Sequence, residues 1–146
     1  MLTTSADPVA VANRLRPVLL QLNRQLRREL APLGITGGQA ALLHVIRTNP
    51  GIGVRELSRR EGVSTAAMST ALTRLESAGM IRRTRAETDR RRVGLELTDE
   101  GLRVLKSARS RRTAWLAKRL GRLTPEERAA IDDVIDPLMR LLDDAE

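Results

Sequence analysis

Residues 54–98 read VRELSRREGVSTAAMSTALTRLESAGMIRRTRAETDRRRVGLELT. The first eight residues, Val54 to Glu61, make a short helix with Leu57 turned inward, and Gly62 ends it. Ser64 is a helix N-cap, and Met68, Ala71, Leu72 and Leu75 then recur at helical spacing until Gly79 stops the run, which predicts a second helix over about 65–78. Beyond it the period changes: Val93, Leu95 and Leu97 alternate with Gly94, Glu96 and Thr98. That alternation predicts a strand at about 92–97, paired with another at about 80–85 across a polar loop near 86–91. A short helix, a tight turn, a longer helix and a two-stranded hairpin make a winged helix-turn-helix, with residues 36–98 supplying it.

The two faces of the longer helix differ in kind. Opposite the apolar stripe lie Ala66, Ser69, Thr70, Thr73 and Arg74, with Ser64 and Thr65 at the helix start. A small, hydroxyl-rich face with one arginine can enter a duplex major groove about 12 Å wide and donate to base edges or phosphates, which bulky apolar groups could not. An amphipathic helix with a merely solvated face has the same pattern, and the preceding short helix and turn favour the recognition helix. The hairpin carries six arginines between residues 82 and 92 against two acids, Glu87 and Asp89. Because the alternation pins its base to the core, Arg83, Arg85, Arg90, Arg91 and Arg92 fall at its tip and solvent sides. A minor groove attracts arginine there through its negative potential.

Outside this centre the chain is helical. Asp7 and Pro8 start a helix on which Leu15, Val18, Leu19, Leu22, Leu26 and Leu30 recur. Pro17 is expected to kink that helix or begin a new segment. Thr36 caps a helix over about 37–48, and Thr98 caps one over about 99–120 marked by Leu102, Leu105, Ala108 and Leu116. Thr124, Pro125 and Glu127 form a capping box for a last helix bearing Ile131, Val134, Ile135, Leu138, Met139, Leu141 and Leu142. Its stripe of Ile131, Val134, Ile135, Leu138 and Leu142, with Leu15 and Leu19 of the first helix, is too extensive to stay wet on a monomer. Residues 1–35 and 99–146 are therefore grouped as a helical dimerisation region.

Composition narrows the partner. The 146 residues carry a net charge of +8 with a pI of about 11.4, and no cysteine. The charge points to a polyanion, and Trp115 as the only residue among Phe, Tyr and Trp argues against modules that stack single-stranded bases. Duplex DNA fits better. Residues 103–122 hold eight basic and no acidic residues, whereas residues 124–146 hold eight acids and two arginines, so the last segment does not suit DNA. One histidine and no cysteine make an ordinary metal site improbable. No catalytic pairing or cofactor motif stands out, and the glycines of residues 34–38 lack the phosphate-loop spacing and its lysine. The longest apolar runs, such as Ala40 to Leu43, are far short of the roughly 20 residues that span a bilayer. With no signal peptide in view, the cytoplasm is expected.

Residues 56–101, ELSRREGVSTAAMSTALTRLESAGMIRRTRAETDRRRVGLELTDEG, resemble the core of the MarR family of bacterial transcription regulators. The marks are Leu75-Glu76 and Gly79, Arg83, Asp89 with Arg91, and Leu97-Thr98 with Gly101, and Leu123–Glu127 near the C-terminus also match. The resemblance implies a homodimer built by the first and last helices, an inverted-repeat operator in double-stranded DNA, and release by a small, often phenolic, ligand. It implies DNA contact by Arg74, minor-groove insertion by Arg91, and orientation of the wing arginines by Asp89. Thr70 replaces a frequent arginine, and Ala40 a frequent aromatic wall of the effector site. Arg16, Ala40 and His44 are the candidate effector residues, for a small organic anion. The reading is a homodimeric, ligand-responsive repressor without enzymatic activity, and the alternative is a non-specific DNA-packaging protein.

Overall fold

The computed structural model describes residues 6–85 and 93–144. The chain divides into two compact units, Met1–Arg112 and Thr113–Glu146.

The first unit begins with α1 (Pro8–Arg28), whose N-cap Asp7 accepts a hydrogen bond from the Ala10 amide at 3.1 Å. Pro17 neither breaks the helix nor starts another, since α1 is assigned without interruption from Pro8 to Arg28. The carbonyl of Asn13 loses a partner to the proline, but both residues are exposed, so water can take that bond. A 3-10 turn (Ala31–Leu33), closed by left-handed Gly34, leads to α2 (Gly37–Thr48). Thr36 and Gln39 cap α2 reciprocally: each side chain accepts from the other's amide, at 3.1 and 2.9 Å. Sequence spacing identified Thr36 but not its partner.

α2 buries Ala40, Leu42, Leu43 and Ile46. α3 (Val54–Glu61) buries Leu57 completely, along with Ser58, whose hydroxyl donates to the Val54 carbonyl at 2.8 Å. Gly62, at φ 66°, turns the chain into α4 (Thr65–Ser77). The Met68, Leu72 and Leu75 face of α4 closes the core as expected.

A three-stranded antiparallel sheet completes the core, in the order β1 (Ile52–Gly53), β3 (Val93–Leu97), β2 (Ile81–Arg85). The hairpin register pairs Ile81 with Leu97 and Arg83 with Leu95. The strand β1 was not foreseen, because two residues are too few to show a period. It pairs Gly53 with Gly94, and a Cβ on Gly94 would lie 2.7 Å from the Gly51 carbonyl oxygen, so the close approach of these backbones requires glycine.

The following helix, α5 (Asp99–Leu120), is fastened at its start. The Thr98 hydroxyl accepts from the Gly101 amide at 3.0 Å and donates to the Gly79 carbonyl at 2.5 Å, and the Thr98 amide donates to the Met80 carbonyl at 3.1 Å. Gly101 has no Cβ to strike that Met80 carbonyl, which lies where one would be. α5 buries Val104, Leu105 and Ala108, whereas Leu102 and Leu116, counted with the apolar face by spacing, are exposed. Gly101, Val104, Leu105 and Ala108 share the inward face, from which Leu102 turns away, and Leu116 lies about two turns beyond Ala108, the last buried residue of the helix. Arg111 donates to the Glu29 carbonyl at 2.9 Å, closing the C-terminal end of α1.

The second unit holds the end of α5 and α6 (Pro125–Arg140). Thr124 and Glu127 form the expected capping box, with bonds of 3.0 and 3.1 Å. The Thr124 amide and hydroxyl hold the Glu127 carboxyl below the usual carboxylate range. Arg128 donates to the Leu123 carbonyl at 2.7 Å, and the Arg119 guanidinium stacks over the Trp115 ring at 5.1 Å from its centroid.

Neither α1 nor α6 has a buried residue in the single chain. Among the described residues no helix is long and apolar enough to cross a membrane.

Candidate nucleic-acid interface

Tight geometry joins α3 to α4. The Gly62 amide donates to the Arg59 carbonyl and the Val63 amide to the Ser58 carbonyl, at 3.3 and 3.1 Å. Ser64 then accepts from the Ala67 amide at 3.1 Å. With Leu57 and Leu72 both fully buried, the inner faces of the two helices are fixed and the outer face of α4 is turned to solvent. Ser64, Thr65, Ala66, Thr70, Thr73 and Arg74 are exposed, and Ser69 is half-buried. The face expected for a groove is therefore assembled on one helix. Two of its hydroxyls are already engaged: Thr70 donates to the Ala66 carbonyl at 3.2 Å and Thr73 to the Ser69 carbonyl at 2.8 Å.

α3 adds arginines that the sequence reading did not assign. Arg55, Arg59 and Arg60 are exposed on it. Glu56 accepts from Arg60 at 3.1 Å and from Arg59 at 2.5 Å. The Arg60 hydrogen bond, then the charge of Arg59, lower the pKa of the Glu56 carboxyl. A glutamate followed by arginines three and four residues on was the available signal.

The described part of the hairpin shows arginines in unequal roles. Arg82 pairs with Glu96 across the strands at 3.2 Å. Arg83 turns to Glu76 in the last turn of α4, at 3.3 Å, and so ties the helix to β2. An exposed pair of this kind is worth only about 0–1 kcal/mol, so its effect is on orientation. Arg85 is exposed at the end of β2. Asp89, Arg90, Arg91 and Arg92 lie outside the described residues.

A cavity of about 350 Å³ lies behind the outer face of α4. Thr36 and Gln39 at the start of α2, Glu61 at the end of α3, and Met68, Ala71 and Arg74 of α4 help to line it. Arg74 thus belongs both to the helix face and to the cavity wall. The expected effector residues lie elsewhere. Ala40 is 2% exposed and packs in the core. His44 is exposed on α2, and Arg16 is exposed on α1, where it donates to Asn13 at 3.4 Å. Among the described residues no hydrogen bond or ion pair joins Arg16 to His44.

Comparison with known proteins agrees with this architecture. The MarR family profile matches residues 35–93. The HTH-type transcriptional repressor Rv2887 of Mycobacterium tuberculosis is 32% identical over 124 residues, covering 84% of this chain and 89% of that protein. The crystal structure of the YusO protein from Bacillus subtilis has a TM-score of 0.76 at 27% identity, covering 94% of this chain and 99% of that one. A mutant of S. aureus MepR bound to an oligodeoxyribonucleotide shares the fold, with a TM-score of 0.71 at 18% identity over 91% of this chain and 98% of that one.

Proposed function

Because the chain belongs to the MarR family of winged-helix transcription regulators, we propose that it is a homodimeric repressor that grips an inverted-repeat operator in duplex DNA and releases it when a small organic molecule binds. The observation that carries the DNA reading is the exposed face of α4 from Ser64 to Arg74, held outward by a buried face and tied through Glu76 and Arg83 to the arginine-bearing strand. On this reading Ser64, Thr65, Ala66, Ser69, Thr70, Thr73 and Arg74 enter the major groove. Arg83, Arg85, Arg90, Arg91 and Arg92 follow the minor groove and the phosphates, Asp89 orients them, and Arg83 also holds the hairpin against α4 through Glu76. The repressor name of the 32% identical relative and the oligodeoxyribonucleotide of the structural neighbour support the same reading.

The dimer reading rests on the uncovered apolar residues. Leu19, Ile131, Val134 and Ile135 are 41–49% exposed and Leu142 is 76% exposed, with Leu15 and Leu138 half-buried. A partner chain covering α1 and α6 would bury them. A two-fold dimer presents two α4 helices to half-sites about 34 Å, or 10 bp, apart. Footprinting on DNA upstream of the protein's own gene should protect an inverted repeat with that spacing. Uniform protection of any duplex would instead establish the packaging alternative.

The ligand reading draws support from the cavity beside Arg74, at a different place from Arg16, Ala40 and His44. Its walls are mostly apolar, with Arg74 as the one cation and Glu61 as the one acid, which suits an aromatic or aliphatic molecule carrying a polar group that Arg74 can bind. A bound ligand would engage an arginine that the operator also needs. By linkage, ligand and operator must weaken one another by the same factor. Titrating small carboxylates and phenols into the operator complex tests this. The response should vanish in Ala71→Leu, which fills the cavity, and a response unchanged by that filling would place the ligand elsewhere.

A further inference from the structure

The stripe Ala66, Thr70, Thr73 runs along the outer face of α4 at positions i, i+4 and i+7. Both threonine hydroxyls are turned back onto their own helix, onto the Ala66 and Ser69 carbonyls at 3.2 and 2.8 Å. A β-branched side chain is stiff at χ1 in a helix, so fixing the oxygen fixes the methyl. With the oxygen drawn toward the backbone, each threonine offers its γ-methyl outward, in line with the Cβ of Ala66. The Ser64 hydroxyl is held at the cap by the Ala67 amide. The stripe is therefore a row of three methyl groups, with the Arg74 guanidinium as a strong donor just beyond it. Seven residues of helix rise about 10.5 Å, a length that passes about three successive base pairs at 3.4 Å each.

We propose that Ala66, Thr70 and Thr73 read the C5-methyl groups of thymines in the major groove, so that the protein selects its operator at these positions by methyl contact and not by hydroxyl donation. This rests on α4 being the recognition helix. Thymine is the base that carries a methyl group on its major-groove edge, and alanine and threonine methyls are suitable partners for it. A cytosine there would set a bare edge and an amino group against the stripe, and the lost methyl contact would discriminate against it. The engaged hydroxyls keep lone pairs, so a neighbouring adenine or cytosine amino group can still be accepted.

The experiment uses the full-length protein and a random duplex library to select preferred sequences. One selected duplex is then remade with each major-groove thymine replaced singly by uracil, which deletes the methyl alone. At up to three positions per half-site the replacement should weaken binding about fourfold, the worth of one buried methyl. For the position under Thr73 the loss should disappear in Thr73→Ser, which keeps the hydroxyl and lacks the methyl. It should persist in Thr73→Val, which keeps the methyl and lacks the hydroxyl. Unchanged affinity at every uracil position overturns the methyl reading, while continued preference for the selected duplex over a scrambled one leaves operator recognition standing. A thymine preference lost in Thr73→Val but kept in Thr73→Ser overturns it as well, because the hydroxyl would then be the reader. Enrichment of no sequence at all would remove the operator reading and this one together.

Discussion

The winged-helix core and the two flanking helices α1 and α6 are both built from well-capped, apolar-patterned sequence, yet they end in opposite conditions. In the core, Leu43, Leu57, Leu72, Leu75 and Leu95 are wholly sealed from solvent. On α1 and α6 no residue is buried, and Leu20 and Ile135 stand 60% and 49% exposed, with Leu142 just past α6 at 76%. The same kind of pattern is satisfied within the chain in one place and left open in the other. An apolar stripe identifies a face that must be covered but does not say by which chain. The core thus covers its own apolar face, whereas the flanking helices leave theirs uncovered in the single chain.

The sharpest way to break this contrast is to put charge on the open stripe. The double replacement Ile131→Asp with Ile135→Asp should leave far-ultraviolet circular dichroism almost unchanged and convert a sedimenting dimer to monomer. Operator affinity should fall about 100-fold or more as the linked second half-site is lost. A variant that still sediments as a dimer would show that these residues do not form the interface. Next in size is Leu72→Ala in the sealed core, which should cost about 2–5 kcal/mol in denaturant unfolding through lost burial and a residual cavity. That cost should not depend on protein concentration, whereas unfolding of Ile135→Ala should become more concentration-dependent as dimerisation weakens.

The smallest effect concerns the α6 cap. Thr124→Ala should cost about 1 kcal/mol with no change in the core. The Glu127 pKa is lowered in the folded chain, chiefly by the backbone bond from Thr124 and then by its hydroxyl. The stability from this group is therefore present above the unfolded carboxylate pKa, and is lost as pH falls through the depressed folded value. Thermal melts across the acid range should show that loss in the parent protein and a reduced pH dependence in Glu127→Gln. Equal acid sensitivity of the two proteins would mean that other carboxylates govern it.

Local signals made most of the fold legible. Helix bounds at Asp7, Thr36, Gly62, Ser64 and Thr124 came from caps and left-handed glycines, each acting within one turn of chain. The period-2 run at Val93, Leu95 and Leu97 gave the central strand, whose buried residue is Leu95. What was missed depends on contacts distant in sequence. The strand β1 exists through Gly51 and Gly53 meeting Gly94 and Leu95, more than forty residues on. The tie from Arg83 to Glu76 was missed as well, because an ion pair between a helix end and a strand has no fixed spacing. The outer residues of α4 were legible as a polar face. The inward turn of the Thr70 and Thr73 hydroxyls was not, since it is a choice of rotamer. The cavity beside Arg74 joins three helices, and no single stretch of sequence encodes it.

Trp115, stacked with Arg119, is the only tryptophan, and the chain has no tyrosine or phenylalanine. Light at the red edge of protein absorption is therefore absorbed in the second unit alone, and the winged-helix unit is dark there. Intrinsic emission needs no label and reports from one address. An operator or ligand that acts only on the first unit leaves the emission as it was. One whose influence travels past Arg112 shifts the colour or yield of a single indole. The protein thus carries its own optical test of whether an event at α4 is felt at Trp115 on α5.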